Sequence, residues 1–295
     1  MSFADWIVEP LRFPFMVRGL IAAAMVGGLC AVVGAFVVLR GMAFMGDAIA
    51  HSILPGLAGG VLVAGRGDRR ALFWWALGTA IAVALGVGWV SERGRVREDT
   101  AIGIVFAGMF ALGIALMSTV RGFAVDLVHF LFGNVLGVSN GDLILIGAFG
   151  GSVLLLILLF YKELVVVSFD PTLARTLRLP ATAYRYLLLV LIAISVVVSL
   201  QTVGVGLMLA MLIVPSSTAF LVARRLPSMI AVGAMFGILS GVIGLYLSFY
   251  WSVASGAAIV LVAIAFFFGA LILSRWRFGR LRRGQPSDHA GRDAA

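Results

Sequence analysis

Charge is scarce in this sequence. Only 12% of its 295 residues are Asp, Glu, Lys or Arg, about half of the roughly 25% found in a soluble domain. Cysteine is scarcer still: the single Cys30 excludes an intrachain disulfide or a multi-thiolate metal cluster, and inside an apolar run it reads as packing. There is no GxxxxGK[ST] phosphate loop, so the chain has no P-loop route to ATP hydrolysis, and no HExxH of a membrane metalloprotease. Of three histidines, His289 falls in the polar tail, which leaves too few for an enzymatic constellation. The N-terminus, MSFADWIVEPLRFPF, has an acidic residue before any basic one and no small-residue cleavage pattern, so the first apolar run is expected to stay in the mature protein.

What is there is apolar. Hydrophobic residues make up 62% of the chain and the mean hydropathy is +1.13. Runs of about 20 residues, enough to cross a bilayer as helix, recur almost without interruption. They predict nine spans at about 15–39, 42–64, 71–90, 102–120, 141–160, 186–202, 204–223, 228–251 and 254–274. Each is too long for a barrel strand and lacks strict alternation, so the fold class is all-α, a polytopic transmembrane helical bundle. The domain plan is a short segment 1–14, a membrane domain 15–274 and a basic, disordered tail 275–295. The net charge of +9 is not a nucleic-acid face, because the basic residues sit in short loops and the tail. Assigned to alternate sides, sixteen of the twenty-two fall together, including Arg40, Arg93, Arg95, Arg97, Lys162, Arg224 and Arg225. That side is expected to be cytoplasmic, with the C-terminus inside and the N-terminus outside.

Chemistry concentrates in MGDAIAHSILPG, residues 45–56. Asp47 and His51 are four apart and share one helix face. An ionisable residue at mid-membrane costs roughly 2.5–3.5 kcal/mol and usually lines a pathway or a protein interior. A carboxylate and an imidazole suit Zn²⁺, Mn²⁺ or Fe²⁺, and two symmetry-related copies would supply four ligands. The alternative is a hydrogen-bonded pair tying helices together. Pro55 follows and can break the helix, exposing carbonyls, or merely kink it. Asp126 and His129, three apart in the apolar stretch 123–139, form a second candidate pair at the outer mouth; their alternative is a solvated face or a cap. Pro215, followed by Ser216, Ser217 and Thr218, reads as a kink whose freed backbone groups are met by hydroxyls. In the loop 161–185, Asp170-Pro171 offers an N-cap and a first-turn proline for a short helix.

Six ordered segments carry a resemblance: FVVLRGMAFMGDAIAHSILPG (36–56), EDTAIGIVFAGMFALGIALMS (98–118), DLVHFLFGNVLGVS (126–139), SFDPTLARTLRLP (168–180), VVSLQTVGVGLMLAMLIVPSSTA (197–219) and VASGAAIVL near the last span. Together they resemble the membrane permease family of zinc, manganese and iron ABC importers, over almost the whole chain. The resemblance implies a multi-pass protein of the bacterial cytoplasmic membrane, a fold similar to that of the cobalamin and siderophore importers, and a second permease copy embedded in lipid. It further implies a cytoplasmic ATP-binding cassette ATPase dimer that hydrolyses the ATP, and an extracytoplasmic metal-binding protein. No cofactor is held permanently; Zn²⁺ or Mn²⁺, less so iron, is cargo. By the same resemblance Asp47 and His51 are metal-pathway residues. The segment carrying Phe169, Asp170, Pro171, Ala174, Arg175, Leu177, Leu179 and Pro180 is the helix that couples to the ATPase. Two positions depart from the pattern: Arg178 stands where glycine is expected, and Gly41 follows Arg40 where a second basic residue is common. Two other readings stay open, an ion-coupled secondary carrier working alone and a permease for a bulky metal chelate.

Overall fold

A computed structural model describes residues 8–65, 68–119 and 135–282. Asp126, His129 and His289 lie outside these residues. Among the described residues, nine segments are long and apolar enough to span a membrane. In chain order, the first span is α1 (Pro14–Leu39) and the second is split into α2 (Met45–Ser52) and α3 (Leu54–Ala64). Next come α4 (Arg69–Gly94) and α5 (Glu98–Thr119). The fifth span joins α6 (Asn140–Leu145) to α7 (Gly151–Leu159) through a π turn at Ile146–Gly150. Two short helices follow, α8 (Tyr161–Phe169) and α9 (Pro171–Thr176). The last four spans lie in α10 (Ala181–Val203), α11 (Val205–Val222), α12 (Leu226–Trp251) and α13 (Ser255–Arg282).

Local chemistry sets several of these boundaries. Pro14 opens α1, where its missing N–H costs nothing. Asp68 accepts from the backbone N–H groups of Arg70 and Ala71 at 3.0 and 3.1 Å and starts α4. Ser139 and Asp142 form a reciprocal capping box at α6. Asp170 takes the N–H groups of Thr172 and Leu173, both at 2.9 Å, and caps α9. Arg178 then reverses the chain with φ of +54°. That left-handed conformation is the reason glycine suits this position, and an L-residue holds it at a cost of about 1–2 kcal/mol. Gly41, with φ of +68°, makes the turn after α1.

Three spans form the interior: α1, the α2–α3 pair and α10. Close approach is what places α1 there. A methyl group added at Gly34 would stand 1.8 Å from the Leu212 carbonyl oxygen, and one at Gly27 would stand 2.6 Å from that of Gly237. Backbone therefore meets backbone across α1–α11 and α1–α12. Helices α5, α7 and α13 lie outermost and turn Leu112, Leu155, Leu158, Leu261 and Phe268 outward. Such a surface suits hydrocarbon, where neighbours need no hydrogen bonds from it.

Two expectations are corrected. The tail does not become disordered at residue 275: α13 runs on to Arg282, because the arginines, Trp276, Phe278 and Leu281 sustain a helix and a single Gly279 does not stop it. Residues 283–295 lie outside the described residues. The 161–185 connection is not a loop with one short helix, since α8 occupies its first nine residues and α10 begins at Ala181. Leu164 and Val167 of α8 are buried, which gives that helix its own apolar face.

Candidate metal-pathway site

Helix α2 carries Asp47 and His51 on one face, and the two do come together. His51 Nε2 stands 3.8 Å from Asp47 Oδ1, beyond hydrogen-bonding distance. Both residues sit on the same helix, so the pair ties no two helices together. Two ligands on a tetrahedral ion at 2.0–2.1 Å lie about 3.4 Å apart, so a small rotamer adjustment brings both donors onto one cation. Their side chains remain 42% and 34% exposed for Asp47 and His51 respectively, in a span that is otherwise mostly buried. Among the described residues no three His, Cys, Asp or Glu side chains gather into a metal site. Among the described residues the arrangement is therefore one pair of donors and not a closed cage.

The helix breaks immediately beyond this pair. Ile53 ends α2 and Pro55 lies in the first turn of α3. Pro55 has no N–H to give to the carbonyl of His51, four residues earlier. The Ile53 N–H turns towards the carbonyls of Ile49 and His51 instead. Ser52 Oγ, next to the histidine, is buried without a hydrogen-bond partner. The broken turn therefore brings polar backbone and side-chain oxygen to the depth of the imidazole.

What holds His51 is aromatic. Its ring stacks on Phe110 of α5, with centroids 6.1 Å apart and planes 28° apart, and lies 6.4 Å from Phe106. The two phenylalanines stack on each other at 5.6 Å. One turn further along α5, Gly113 lets the helix rest on the break: a methyl group there would stand 2.6 Å from Leu54 Cβ and 3.1 Å from Pro55 Cδ. Phe106, Phe110 and Gly113 were not singled out in the sequence, although their i, i+4, i+7 spacing is the signal of one helix face.

A second cluster also escaped the sequence reading. Glu98, the first residue of α5, accepts with Oε1 from Arg40 Nη2 at the end of α1 and from Arg185 Nε of α10, the latter at 2.7 Å. The side chains of Arg40, Glu98 and Arg185 are 10%, 18% and 20% exposed. Burial pushes Arg40 below the ordinary guanidinium range, while Glu98 draws it back up. Near it, Glu92 of α4 accepts from Tyr186 Oη at 3.2 Å and Thr182 Oγ1 at 3.5 Å. Sequence reasoning treated Arg40 and Arg185 only as charges in loops; a Glu98-Asp99 pair opening an apolar span was the available clue.

The remaining candidates fall elsewhere. Pro215 lies inside α11, and Leu212, one turn before it, reaches Gly46 at the start of α2. Ser216 Oγ donates to the carbonyls of Ala31 and Leu212, at 2.9 and 3.2 Å, and Thr218 Oγ1 to that of Val214 at 2.7 Å. Phe169, Leu173 and Leu177, at spacings of four, are exposed along α8 and α9, and Ala174 is buried.

Residues 12–274 match the model of the ABC 3 transport family. The manganese transport system membrane protein MntC of Halalkalibacterium halodurans is 45% identical over 280 residues, covering 92% of this chain and 94% of that one. The chelated iron transport system membrane protein YfeD of Yersinia pestis is 40% identical over 266 residues, covering 90% and 88%. Among solved structures, PsaBC from Streptococcus pneumoniae in complex with Fab matches with a TM-score of 0.76 at 38% identity, covering 91% of this chain and 95% of that one. An inward-facing metal-chelate type ABC transporter shares the fold, with a TM-score of 0.72 at 16% identity over 92% and 90%. A model matched over nearly the whole chain, with relatives this similar across nine-tenths of it, means that the protein belongs to the ABC 3 transport family.

Proposed function

We propose that the chain is the membrane permease subunit of an ATP-driven importer for a divalent transition metal, with manganese the foremost cargo, iron next, and zinc compatible with the same donors. The observation that carries this reading is the Asp47–His51 pair, two donors 3.8 Å apart beside a helix break in the interior of the bundle. A carboxylate and an imidazole bind all three metals; the names of MntC and YfeD favour manganese and iron. Two ligands hold an ion weakly enough to release it, which a pathway needs and a closed cage defeats. A second permease copy would complete the coordination, and the exposure of both side chains leaves room for it.

The chain has no phosphate loop, so a partner ATPase dimer supplies the energy. Helices α8 and α9 are the docking segment: Phe169, Leu173 and Leu177 are large apolar side chains exposed along it, which a partner would cover. The charge asymmetry puts that segment and the C-terminus in the cytoplasm, with the N-terminus outside. An extracytoplasmic metal-binding protein delivers cargo to the opposite side.

The test is uptake of manganese and zinc, in competition, by vesicles holding the chain with its ATPase and binding protein. The reading expects ATP-dependent uptake of manganese that zinc or iron inhibits. Uptake by the chain alone under a proton or sodium gradient would establish a secondary carrier instead. Movement of a metal chelate but of no bare ion would establish the chelate permease.

A further inference from the structure

Helix α5 is the least buried of the nine described spans. Only 17% of its apolar window is buried, against 67% for the α2–α3 span. It packs against α2, α3 and α4, and two groups of its contacts reach charged or ionisable residues. At its first turn Glu98 binds Arg40 and Arg185, with Ala101 and Ile102 buried beside it. Eight to fifteen residues on, Phe110 stacks on His51, Phe106 lies tilted beside it, and Gly113 sits against Leu54 and Pro55. The rise of a helix makes the two phenylalanines about 12 and 18 Å distant from Glu98 along a stiff rod.

The Glu98 end is joined to the docking segment by a short path. Arg185 is in the second turn of α10, and α10 begins where α9 and the turn at Arg178 end. That turn is itself bonded: the Leu179 N–H donates to the Ala174 carbonyl at 3.0 Å and the Ala181 N–H to that of Leu179 at 2.8 Å. A displacement of α9 thus moves the start of α10, and Arg185 with it.

The charge cluster is also one anion short. Two guanidinium groups share a single oxygen of Glu98, while Arg40 Nη1 and Arg185 Nη2 are buried without hydrogen-bond partners among the described residues. Buried donors left unpaired favour any rearrangement that satisfies them. Glu98 can follow either arginine, which is the property of a contact that exchanges and not of one that only braces.

We propose that Glu98 is a positioning residue of the transport cycle: it clamps α5 to Arg185, so that movement of α9 is delivered along α5 to the His51 ring and the break at Pro55. The inference rests on the importer reading. Glu98 touches no cargo and acts through the contacts of α5 with His51 and the Pro55 break.

The test uses the full complex in vesicles and reads two rates, ATP hydrolysis and manganese uptake. Glu98→Gln keeps the shape of the side chain and removes its charge. The expected result is hydrolysis within twofold of wild type with uptake per ATP lowered at least tenfold, and partial rescue of that ratio by Glu98→Asp. An unchanged uptake per ATP in Glu98→Gln beside a transporting wild type would overturn the inference alone. A wild-type complex that hydrolyses ATP and moves no divalent metal would overturn the importer reading, and the inference with it. Should Glu98→Gln fail to assemble, Glu98→Asp decides in its place: a lowered ratio supports the clamp and a wild-type ratio sinks it. Loss of assembly in both variants would make Glu98 structural and overturn the inference.

Discussion

Among the described residues no carboxylate lies within hydrogen-bonding distance of His51, and its ring stacks on the face of Phe110. Aromatic contacts of this kind contribute about 0.5–1.5 kcal/mol, or about two- to tenfold in an affinity. Phe110→Ala is therefore expected to weaken manganese binding to the assembled complex by that factor, measured by titration in detergent, while Asp47→Asn abolishes it. Glycine gives a second contrast at the same scale. Gly34→Ala forces a methyl group onto the Leu212 carbonyl and should cost about 1–3 kcal/mol or more. Gly151→Ala, with nothing within 4 Å of the new atom, should stabilise by about 0.5–1 kcal/mol. Thermal unfolding of the two variants checks the difference in sign. Asp47 and His51 were legible in the sequence because intramembrane charge is rare and the spacing of four is unambiguous. Phe106, Phe110 and Glu98 were not, because each is ordinary in its own segment and acquires its role only from a partner between 55 and 87 residues away in the chain.

The broken second span is the element on which the pathway depends. Pro55 withholds an N–H from the His51 carbonyl, and α5 rests on the break through Gly113. Pro55→Ala supplies an N–H that can bond the His51 carbonyl, and because Pro55 stands in the first turn of α3 its loss removes little strain. The variant is expected to assemble, to unfold at the same temperature or higher, and to lose at least about tenfold in manganese uptake, since about 1.4 kcal/mol of preference for the continuous helix suffices for that factor. A second element test concerns α9. Asp170→Ala removes a cap worth about 1 kcal/mol, so binding of the purified ATPase should weaken about fivefold, read by co-sedimentation. The span positions were legible from hydropathy to within a few residues. Helix α8 and the extension of α13 were not, because a short amphipathic helix and a basic one both read as loop when only apolar runs are counted.

On the scale of the whole molecule, three buried spans form a core around which lightly packed outer helices can move. The fold class and the resemblance to metal importer permeases were legible because six ordered segments constrain almost the entire chain, and the family match over residues 12–274 agrees with them. The assembly was legible only as an implication of the family, since no single segment encodes a partner's surface. Complexes that mix wild-type and Asp47→Ala copies test the second copy: if the two pairs share one ion, a single altered copy should depress uptake well below half. The most direct measurement is ATP-dependent manganese uptake by the wild-type complex and by His51→Ala at equal abundance. The account predicts robust uptake by the first and at least a tenfold loss in the second, with the complex still assembled and still hydrolysing ATP. Equal uptake by both would contradict it, because the metal would then cross without the imidazole of the Asp47–His51 pair.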